Sequence, residues 1–234
     1  VGIYYFDVER NLIQEKAFIP SKKSYAIAAD ELGKMVYYNH AEEQLYVLAD
    51  GTLYQVDLKK NKQTTLAENL KEGQYAVSSD GHLMAYESEG NKKGGTEIQV
   101  MNLSSLHTYI VEAAEGEQIS PLGFVNGDFI YGKMKSEDAG KKASGESITP
   151  MYELEIRNSK NKKVASYSFV DKGIYISDIL IDDNMVTLNR VEKSGDIYNV
   201  TSQEFITNNE ERKDTAIKTE VSVSYTHLTL PTIR

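Results

Sequence analysis

A six-residue pattern recurs five times along this chain, beginning at Ile3, Leu53, Ile98, Met151 and Ile197. The successive spacings are 50, 45, 53 and 46 residues. Each copy reads apolar, usually Tyr, variable, apolar, usually polar, usually apolar. A period of this length is typical of repeat architectures, in which each unit buries its apolar face against the next one. The chain is therefore predicted to fold as a succession of similar units.

Within each copy, positions two, four and six fall on one side of a pleated strand. That side is predicted to be buried, with Tyr4, Phe6 and Val8 as its members in the first copy. The later copies supply Tyr54, Val56 and Leu58, then Gln99, Met101 and Leu103, then Tyr152, Leu154 and Ile156. The polar residue at position five (Asp7, Asp57, Asn102) is predicted to hydrogen-bond the turn that follows its own strand.

A second unit recurs between the copies. Residues 75–86 read YAVSSDGHLMAY, and Asp80-Gly81 suits the tight turn of a β-hairpin. Residues 25–38, YAIAADELGKMVYY, are predicted to form the same strand, turn and strand. Residues 122–131 and 176–188 are more weakly similar to this unit, with Asn126-Gly127 and Asp182 to Asn184 at their turns. Each period thus holds about four strands, and no segment of ten or more residues has helical periodicity.

Four strands every 45 to 50 residues are typical of a β-propeller blade. The predicted fold class is all-β: a β-propeller arc of about four to five four-stranded blades, incomplete because the first copy begins in mid-blade. The blade-like repeats are placed near residues 1–24, 25–74, 75–116, 117–173 and 174–222. A β-sandwich is the rival fold, since a Tyr-rich pattern of period two fits it as well.

The unit around Ser79, Asp80 and Gly81 resembles the blades of TolB-type and WD40-like propellers. In those blades a Ser-Pro-Asp-Gly turn precedes an apolar strand, and a later strand ends in Asp-Leu. Here Ser78 stands where Trp or Phe is usual, and no Pro precedes Asp80. The resemblance covers about residues 20 to 205, is specific at one blade, and implies a fold more than a function.

The two ends of the sequence look unnatural. Residues 223–232, VSYTHLTLPT, match a translated sequencing adapter codon for codon, and residues 223–234 are therefore predicted to be a non-native tail. A native closing strand is the alternative. The chain begins at Val1 directly with a strand-like run, so the natural N-terminus is predicted to be missing.

Composition excludes several classes of partner and site. The 234 residues include 26 Lys and Arg against 35 Asp and Glu, giving a net charge of −9, with no Cys. An acidic chain without basic clusters is a poor partner for nucleic acid. The absence of Cys excludes thiolate nucleophiles, disulfides and Cys-ligated metals. No apolar run approaches the roughly 20 residues of a membrane helix, so no membrane insertion is expected in this segment.

Few residues of this sequence occur in patterns that are typical of catalysis or metal binding. His40, His82 and His107 are too far apart in sequence for metal-ligand spacing, and each falls in a predicted surface turn or connector. Residues 143–147 lack the leading Gly of a nucleophile elbow, and no glycine-rich phosphate loop is present. The cluster from Asp178 to Asn184 lacks the pattern of a calcium loop and is predicted to be a hairpin turn. We therefore predict no catalytic, metal or cofactor residues, no cofactor, and no enzyme activity for this chain.

Two features could carry recognition. The first is the polar connector at residues 135–149, placed between the second and third strands of a blade, where Lys141, Lys142 and Glu146 are weak binding candidates. A mobile insertion without a role is the alternative. The second is the set of tyrosines in register, Tyr4, Tyr54, Tyr152 and Tyr198, which could stack on sugar rings or on a partner, although packing between blades explains their register better.

The resemblance implies a non-catalytic binding or scaffolding propeller, located outside the bacterial cytoplasm, that interacts with a protein or a small ligand such as a glycan. The alternative is the propeller domain of a prolyl-oligopeptidase-like serine peptidase whose catalytic domain lies elsewhere in the parent chain. A sensor ectodomain is a second alternative.

Overall fold

The computed structural model describes residues 1–88 and 95–207. They form one helix and twenty strands, with 3₁₀ turns at Ser136–Asp138 and Val170–Lys172. In chain order these are β1 (Gly2–Asp7), β2 (Leu12–Phe18), α1 (Tyr25–Lys34), β3 (Val36–Asn39), β4 (Gln44–Ala49), β5 (Thr52–Asp57), β6 (Lys62–Ala67), β7 (Tyr75–Val77), β8 (Leu83–Glu87), β9 (Glu97–Asn102), β10 (Thr108–Glu112), β11 (Glu117–Val125), β12 (Asp128–Lys135), β13 (Gly140–Lys142), β14 (Ser147–Ile148), β15 (Met151–Arg157), β16 (Lys163–Ser168), β17 (Ile174–Asp182), β18 (Met185–Ser194), β19 (Ile197–Val200) and β20 (Glu204–Thr207). Within the described ranges, no helix has both the length and the apolar character needed to cross a membrane.

The strands form successive antiparallel sheets. Sheet I is β3-β4-β5-β6, and sheet II is β7-β8-β9-β10. Strands β11 to β20 form one ten-stranded sheet with two parts, which are joined where Met151 of β15 pairs with Ile176 of β17. The first part, β11-β12-β15-β16, is called sheet III, and the second part is called sheet IV. In sheet IV, β17 pairs with the long strand β18, whose two halves pair with β20 and β19. The hairpin β1–β2 precedes sheet I. In sheets I and II each strand pairs with the next strand of the chain, which is the meander of a propeller blade. Sheet III keeps this order apart from the connector that carries β13 and β14, and in sheet IV β20 pairs with β18 and not with β19.

Each sheet packs face to face on the next, and apolar residues fill every junction. The hairpin and sheet I share a core around Ile3, Ile19 and Val47, and sheets I and II share one around Tyr46 and Met84. The junction of sheets II and III contains Ile98, Val111, Phe124, Phe129 and Tyr131, and that of sheets III and IV contains Ile130, Leu154, Ile176, Val186 and Leu188. Burial of both faces of the middle sheets makes the structure a stack of blades.

The fold is therefore all-β, an arc of a β-propeller made of the hairpin and four sheets. A β-sandwich is wrong for this chain, because its core would lie between two sheets only. Sheets I to IV span residues 36–67, 75–112, 117–168 and 174–207, each within one predicted repeat unit. The predicted tail at residues 223–234 and its adapter origin lie outside the described residues.

All five copies of the six-residue pattern lie in or overlap corresponding strands, namely β1, β5, β9, β15 and β19. The predicted buried face is wrong for the first copy: Tyr4, Phe6 and Val8 are 60, 50 and 79% exposed, whereas Ile3 on the opposite face is buried. The hairpin packs on sheet I through the Ile3 face, and among the described residues no sheet covers the other. In the middle sheets both faces are covered, so alternation does not separate inside from outside.

The predicted role of position five is confirmed in the first three copies. Asp57 Oδ1 accepts hydrogen bonds from the backbone N–H groups of Lys59 and Lys60, at 3.0 and 2.9 Å. Asp7 accepts one from the backbone of Arg10, and Asn102 accepts two from the turn that follows β9. Such side chains satisfy turn donors that the strand ladder leaves unpaired.

The prediction of a strand over the first part of residues 25–38 is wrong, because Tyr25–Lys34 is the helix α1. Ala, Leu, Glu and Lys dominate this segment and favour helix, and Asp30 and Lys34 form an i,i+4 ion pair at 3.4 Å. Glu31 accepts a hydrogen bond from the backbone N–H of Asp50 at 2.9 Å, which joins the helix to the β4–β5 turn. The following residues, Val36–Asn39, form the first strand of sheet I instead of its second.

Candidate functional site

A groove of about 670 Å³ lies along the first strands of sheets II, III and IV. Its walls come from β7, β11 and β17 and from the turns that follow them. The lining residues are Tyr75, Ala76, Val77, Ser79, Leu122, Gly123, Phe124, Asn126, Ile179, Leu180, Ile181, Asp183 and Asn184. Because the first strands of blades surround the axis of a propeller, the groove corresponds to one side of its central channel.

The strands that line the groove have free edges. Both β7 and β11 are terminal strands of their sheets, and β17 beyond Ile176 pairs with β18 alone. Free edges carry backbone N–H and C=O groups that an extended chain can pair with. Leu180 in β17 is 61% exposed, so its side chain adds apolar surface to this edge.

Tight turns place polar side chains at one end of the groove. Asn126 and Gly127 have φ angles of 50° and 84°, and Asp183 has a φ angle of 49°. Two successive residues with positive φ are typical of the type I′ hairpin turn, which favours Asn-Gly. Ser79, Asn126, Asp183 and Asn184 therefore form a polar end, whereas the strands contribute mostly apolar side chains. No Lys or Arg is among the described residues that line the groove, and Asp183 gives it a negative charge.

A buried charge cluster lies on the face of sheet III that packs on sheet II. The carboxylate of Glu155 is 2% exposed and contacts Lys133 Nζ and Arg157 Nη2, each at 2.7 Å. Arg157 also donates to the hydroxyl oxygen of Tyr131 at 3.3 Å and to Asn161 at 3.0 Å. Every charge in the cluster is paired, so its geometry supports a structural role between blades.

The cluster sets the ionisation of its members. Burial by itself would raise the pKa of Glu155, but hydrogen bonds from Lys133 and Tyr131 and the two cationic charges outweigh burial and hold the pKa at about 2. Burial raises the pKa of Tyr131, and its neighbour Glu155 adds to that increase. At neutral pH the cluster therefore contains an ionised Glu155 carboxylate and a neutral Tyr131 phenol, and the neighbouring groups stabilise both of these protonation states.

The connector at residues 135–149 folds back onto sheet IV. Its strand β13 pairs in parallel with β19, so that Lys141 lies opposite Ile197 and Lys142 opposite Tyr198. A Cβ at Gly140 would lie 2.8 Å from the backbone oxygen of Asp196, so glycine permits this close approach. The connector is therefore paired with sheet IV through β13.

Asp138 anchors the connector. Its side chain accepts hydrogen bonds from the Tyr175 hydroxyl at 3.0 Å and from Lys193 Nζ at 3.1 Å, and its backbone oxygen accepts one from the Tyr198 hydroxyl at 2.7 Å. The hydrogen bond with Asp138 raises the pKa of Lys193. Three groups of sheet IV thus converge on one residue of the connector.

The predicted binding candidates lie at the tip of this hairpin. Lys142 Nζ pairs with Glu146 at 3.0 Å, and Lys141 is exposed. Their i,i+4 ion pair closes the β13–β14 turn, which also has a backbone hydrogen bond from Lys142 N–H to the oxygen of Glu146. None of the three lines the groove, and their role in binding stays a prediction.

Replacing Asp138 by Ala is expected to loosen the connector and leave the rest of the arc folded. The Lys193 ammonium and the Tyr175 hydroxyl would lose their shared carboxylate acceptor, which favours local opening, while the hydrogen bond from Tyr198 to the backbone oxygen would remain. Amide hydrogen exchange at residues 140–142 should become about tenfold faster. Glu146→Ala serves as the matched control, because its exposed ion pair contributes little. Equal exchange rates in both variants would contradict the anchoring role of Asp138.

The other sequence candidates lie apart from one another. His40 is exposed, His82 Nδ1 contacts Asp80 at 2.5 Å in the β7–β8 turn, and His107 precedes β10. Asp178 accepts a hydrogen bond from Asn189 at 2.5 Å, and Asp182 to Met185 close the β17–β18 hairpin. Among the residues that the structure describes, no three His, Cys, Asp or Glu side chains are grouped to hold a metal ion.

The tyrosines in register do not share a surface. Tyr4 is 60% exposed, Tyr54 and Tyr152 are half-buried, and Tyr198 is buried against the ring of Tyr175 at a centroid distance of 5.5 Å. Tyr152 donates a hydrogen bond to Glu117 at 2.5 Å. These environments differ because each blade has a different neighbour, so a common sugar-stacking surface is not formed by the described tyrosines.

Sequence reasoning missed the groove, the Glu155 cluster and the Asp138 anchor. The groove had a usable signal, since Ser79, Asn126 and Asp183 lie at or next to corresponding turns of successive repeats. Glu155 occupies position five of its copy, where the first three copies have a residue whose side chain accepts hydrogen bonds from the following turn. In this copy the side-chain oxygen of Asn158 accepts the hydrogen bonds of the turn instead, from the backbone N–H groups of Lys160 and Lys162, each at 3.0 Å. Asp138 had no local signal, because its partners lie 37 to 60 residues away.

Comparisons with known proteins find similarity to solved structures at low sequence identity. No family model matches it, and no curated protein does. The β-propeller domain of the Trilobed protease from Pyrococcus furiosus aligns with 74% of this chain and 52% of that one, at 13% identity and a TM-score of 0.39. The structure of U3-55K aligns with 74% of this chain and 51% of its own, at 10% identity and a TM-score of 0.35.

A dipeptidyl peptidase 4 from Porphyromonas gingivalis aligns with 82% of this chain and 39% of that one, at 10% identity and a TM-score of 0.28. In these three alignments, the chain spans about half or less of each structure's length. At such identities the similarity concerns the fold alone. Proteins that share one fold have many different functions.

Proposed function

We propose that this chain is a non-catalytic binding propeller that holds an extended segment of a partner polypeptide in the groove. The observation that carries the proposal is the set of free edges of β7, β11 and β17 along one concave surface. Main-chain hydrogen bonds from an edge give affinity for any extended chain, and the side chains beside the edge select its residues. The apolar Leu180 and the carboxylate of Asp183 favour a segment with apolar and basic residues.

The proposal extends to the type of propeller and its location. A TolB-type or WD40-like propeller outside the bacterial cytoplasm is supported by the Ser79-Asp80-Gly81 unit and its flanking strands. The propeller domain of a prolyl-oligopeptidase-like peptidase would have a similar inner groove, and a sensor ectodomain could use it too. A reading frame that continues into a nucleophile elbow and a distal His would favour the peptidase.

Binding of a fluorescein-labelled peptide of alternating Val and Lys, followed by fluorescence anisotropy, tests the proposal. Leu180→Ala should raise the Kd about fivefold, because apolar contact with the peptide is lost. Asp183→Asn should have a similar effect, since Asn tolerates the positive φ of this turn but removes the charge. Val200→Ala, at an 87% exposed position outside the groove, should leave the Kd unchanged.

Two outcomes would contradict this proposal. One is a Kd for Leu180→Ala equal to that of Val200→Ala. The other is equally tight binding of a peptide in which Glu replaces Lys, because the negative groove should discriminate against it.

A further inference from the structure

A second cavity, of about 320 Å³, lies in a cleft between sheets II and III. It opens at the end of the blades that carries the β9–β10, β11–β12 and β15–β16 turns. Its lining residues are Leu83, Val100, Asn102, Ser105, His107, Tyr109, Phe124, Gly127, Ser159 and Lys160. Phe124 also lines the groove described above, and the two cavities share no other lining residue.

The inner part of the cleft is apolar and is bounded by two sheets. Leu83 and Val100 of sheet II and Phe124 of sheet III are 7, 3 and 9% exposed. Burial raises the pKa of Tyr109 to about 12, so its phenol is neutral at physiological pH. A slot between facing sheets accommodates a flat apolar group, and aromatic walls favour a ring.

The rim offers hydrogen-bond donors. Asn102 Oδ1 accepts from the backbone N–H groups of Ser104 and Ser105, at 3.0 and 2.9 Å, which leaves its NH₂ group as a donor. The hydroxyl oxygen of Ser105 accepts from the backbone of His107 at 3.4 Å, which leaves its O–H as a second donor. The ammonium group of Lys160, on the opposite turn, is a third.

A hydrogen bond braces the two sides of the rim. His107 Nε2 lies 3.1 Å from the backbone oxygen of Ser159, and since a carbonyl oxygen only accepts, the ring nitrogen donates. The contact joins the β9–β10 turn to the β15–β16 turn. It holds the Asn102 and Ser105 donors in a fixed position relative to Lys160.

The charge at the rim is opposite to that of the chain as a whole. The net charge of the chain is −9, yet no carboxylate is among the described residues that line the cleft. Asp128 and Arg157 both lie near enough to Tyr109 to shift its pKa, and they do so in opposite directions. An anion at the rim would therefore find three donors and a full positive charge.

We propose that this cleft binds a small organic anion with a flat apolar body, of the aryl carboxylate class. The ring lies between the sheets, against Phe124 and Tyr109, and the carboxylate accepts hydrogen bonds from Lys160, Asn102 and Ser105. The volume is at the lower end of the range of small-molecule sites, which fits a ligand of one or two rings. The site shares Phe124 with the peptide groove, but its other lining residues differ, and the proposal does not depend on the function of the groove.

Titration of the full chain with 2-naphthoate, followed by calorimetry and by amide chemical shifts, tests the proposal. We expect shifts at Gly127 and Ser159 and none at Leu180. Lys160→Gln should raise the Kd about fivefold, since a charge-assisted hydrogen bond is lost at a partly exposed rim. Lys162→Gln is the matched control, because it removes the same charge from the same turn at a residue outside the cleft.

A neutral analogue, 2-naphthalenemethanol, separates charge recognition from apolar binding. It should bind the unaltered chain about fivefold more weakly than 2-naphthoate, and Lys160→Gln should not weaken it further. Equal effects of Lys160→Gln and Lys162→Gln, equal affinity for both compounds, or shifts confined to Leu180 and Asp183 would each overturn the site. So would the absence of binding at concentrations up to about 10 mM, where even a very weak complex forms.

Discussion

Replacing Glu155 by Ala is expected to lower the free energy of unfolding by about 3 kcal/mol. The substitution leaves Lys133 and Arg157, whose side chains are only 19 and 27% exposed, close together without their shared carboxylate. Breaking a buried ion pair costs more than the pair contributes, because the remaining charge stays in a place where water cannot solvate it fully. Urea unfolding monitored by circular dichroism measures the loss.

Glu153→Ala is the matched control for this prediction. Glu153 lies on the same strand, is 19% exposed and also contacts Lys133, at 3.5 Å. Its removal leaves the contacts of Glu155 with Lys133 and Arg157 in place, so a loss of no more than about 1 kcal/mol is expected. Equal losses in the two variants would show that the burial of Glu155 does not increase its contribution to the free energy of unfolding.

The same residue predicts a pH dependence. The pKa of Glu155 is about 2 in the folded chain and 4.5 when it is unperturbed, so the unfolded state takes up its proton first as the pH falls. Its contribution is complete above pH 4.5 and is lost as the pH falls toward 2. The advantage of the unaltered chain over Glu155→Gln should therefore be smaller at pH 3 than at pH 7 when both are unfolded in urea.

Replacing Phe129 by Ala should lower the free energy of unfolding by about 4 kcal/mol. Phe129 is completely buried between sheets II and III, with ring centroids of Phe124 and Tyr131 at 5.4 and 5.7 Å. Its loss removes both apolar contact and two aromatic pairs, and opens a cavity between two blades. Denaturant unfolding measures the effect, and the slope of the transition checks that cooperativity is retained.

Phe6→Ala provides the comparison for Phe129. Phe6 belongs to the repeated pattern but is 50% exposed on the uncovered face of the hairpin, so a change below about 0.5 kcal/mol is expected. A large loss at Phe6 would mean that another part of the chain covers the hairpin. A small loss at Phe129 would contradict the packing of sheet II on sheet III.

Most features of the fold that could be predicted from the sequence follow from the repeat. The strand copies at Leu53, Ile98 and Met151 lie in the third strand of their sheets, and Asp57 and Asn102 hold the turns that follow. These features are local, because strand alternation and turn chemistry depend on residues within a few positions of each other. The helix at Tyr25–Lys34 was not predicted, because the likeness of residues 25–38 to residues 75–86 indicates a strand. The helix propensity of Ala, Leu, Glu and Lys in this segment outweighs that likeness.

The candidate sites were less predictable, since each brings together residues from different blades. The groove combines Ser79, Asn126 and Asp183, and the cleft combines Asn102 with Lys160. Asp138 meets Tyr198 only because the connector folds back onto the next sheet. No local sequence pattern indicates that these residues lie close together in the folded chain.

The sequence by itself determined the unit of this protein, a four-stranded meander with polar turns, because hydrogen bonding within a sheet and the geometry of its turns are set by neighbouring residues. The tertiary structure decided which faces are buried, which carboxylate is ionised at low pH, and where the first strands leave a groove. Burial and electrostatic partners arise only when one sheet lies against the next, so the fourth position of the repeat is exposed in Phe6 but buried in Val56 and Leu154, according to its neighbours.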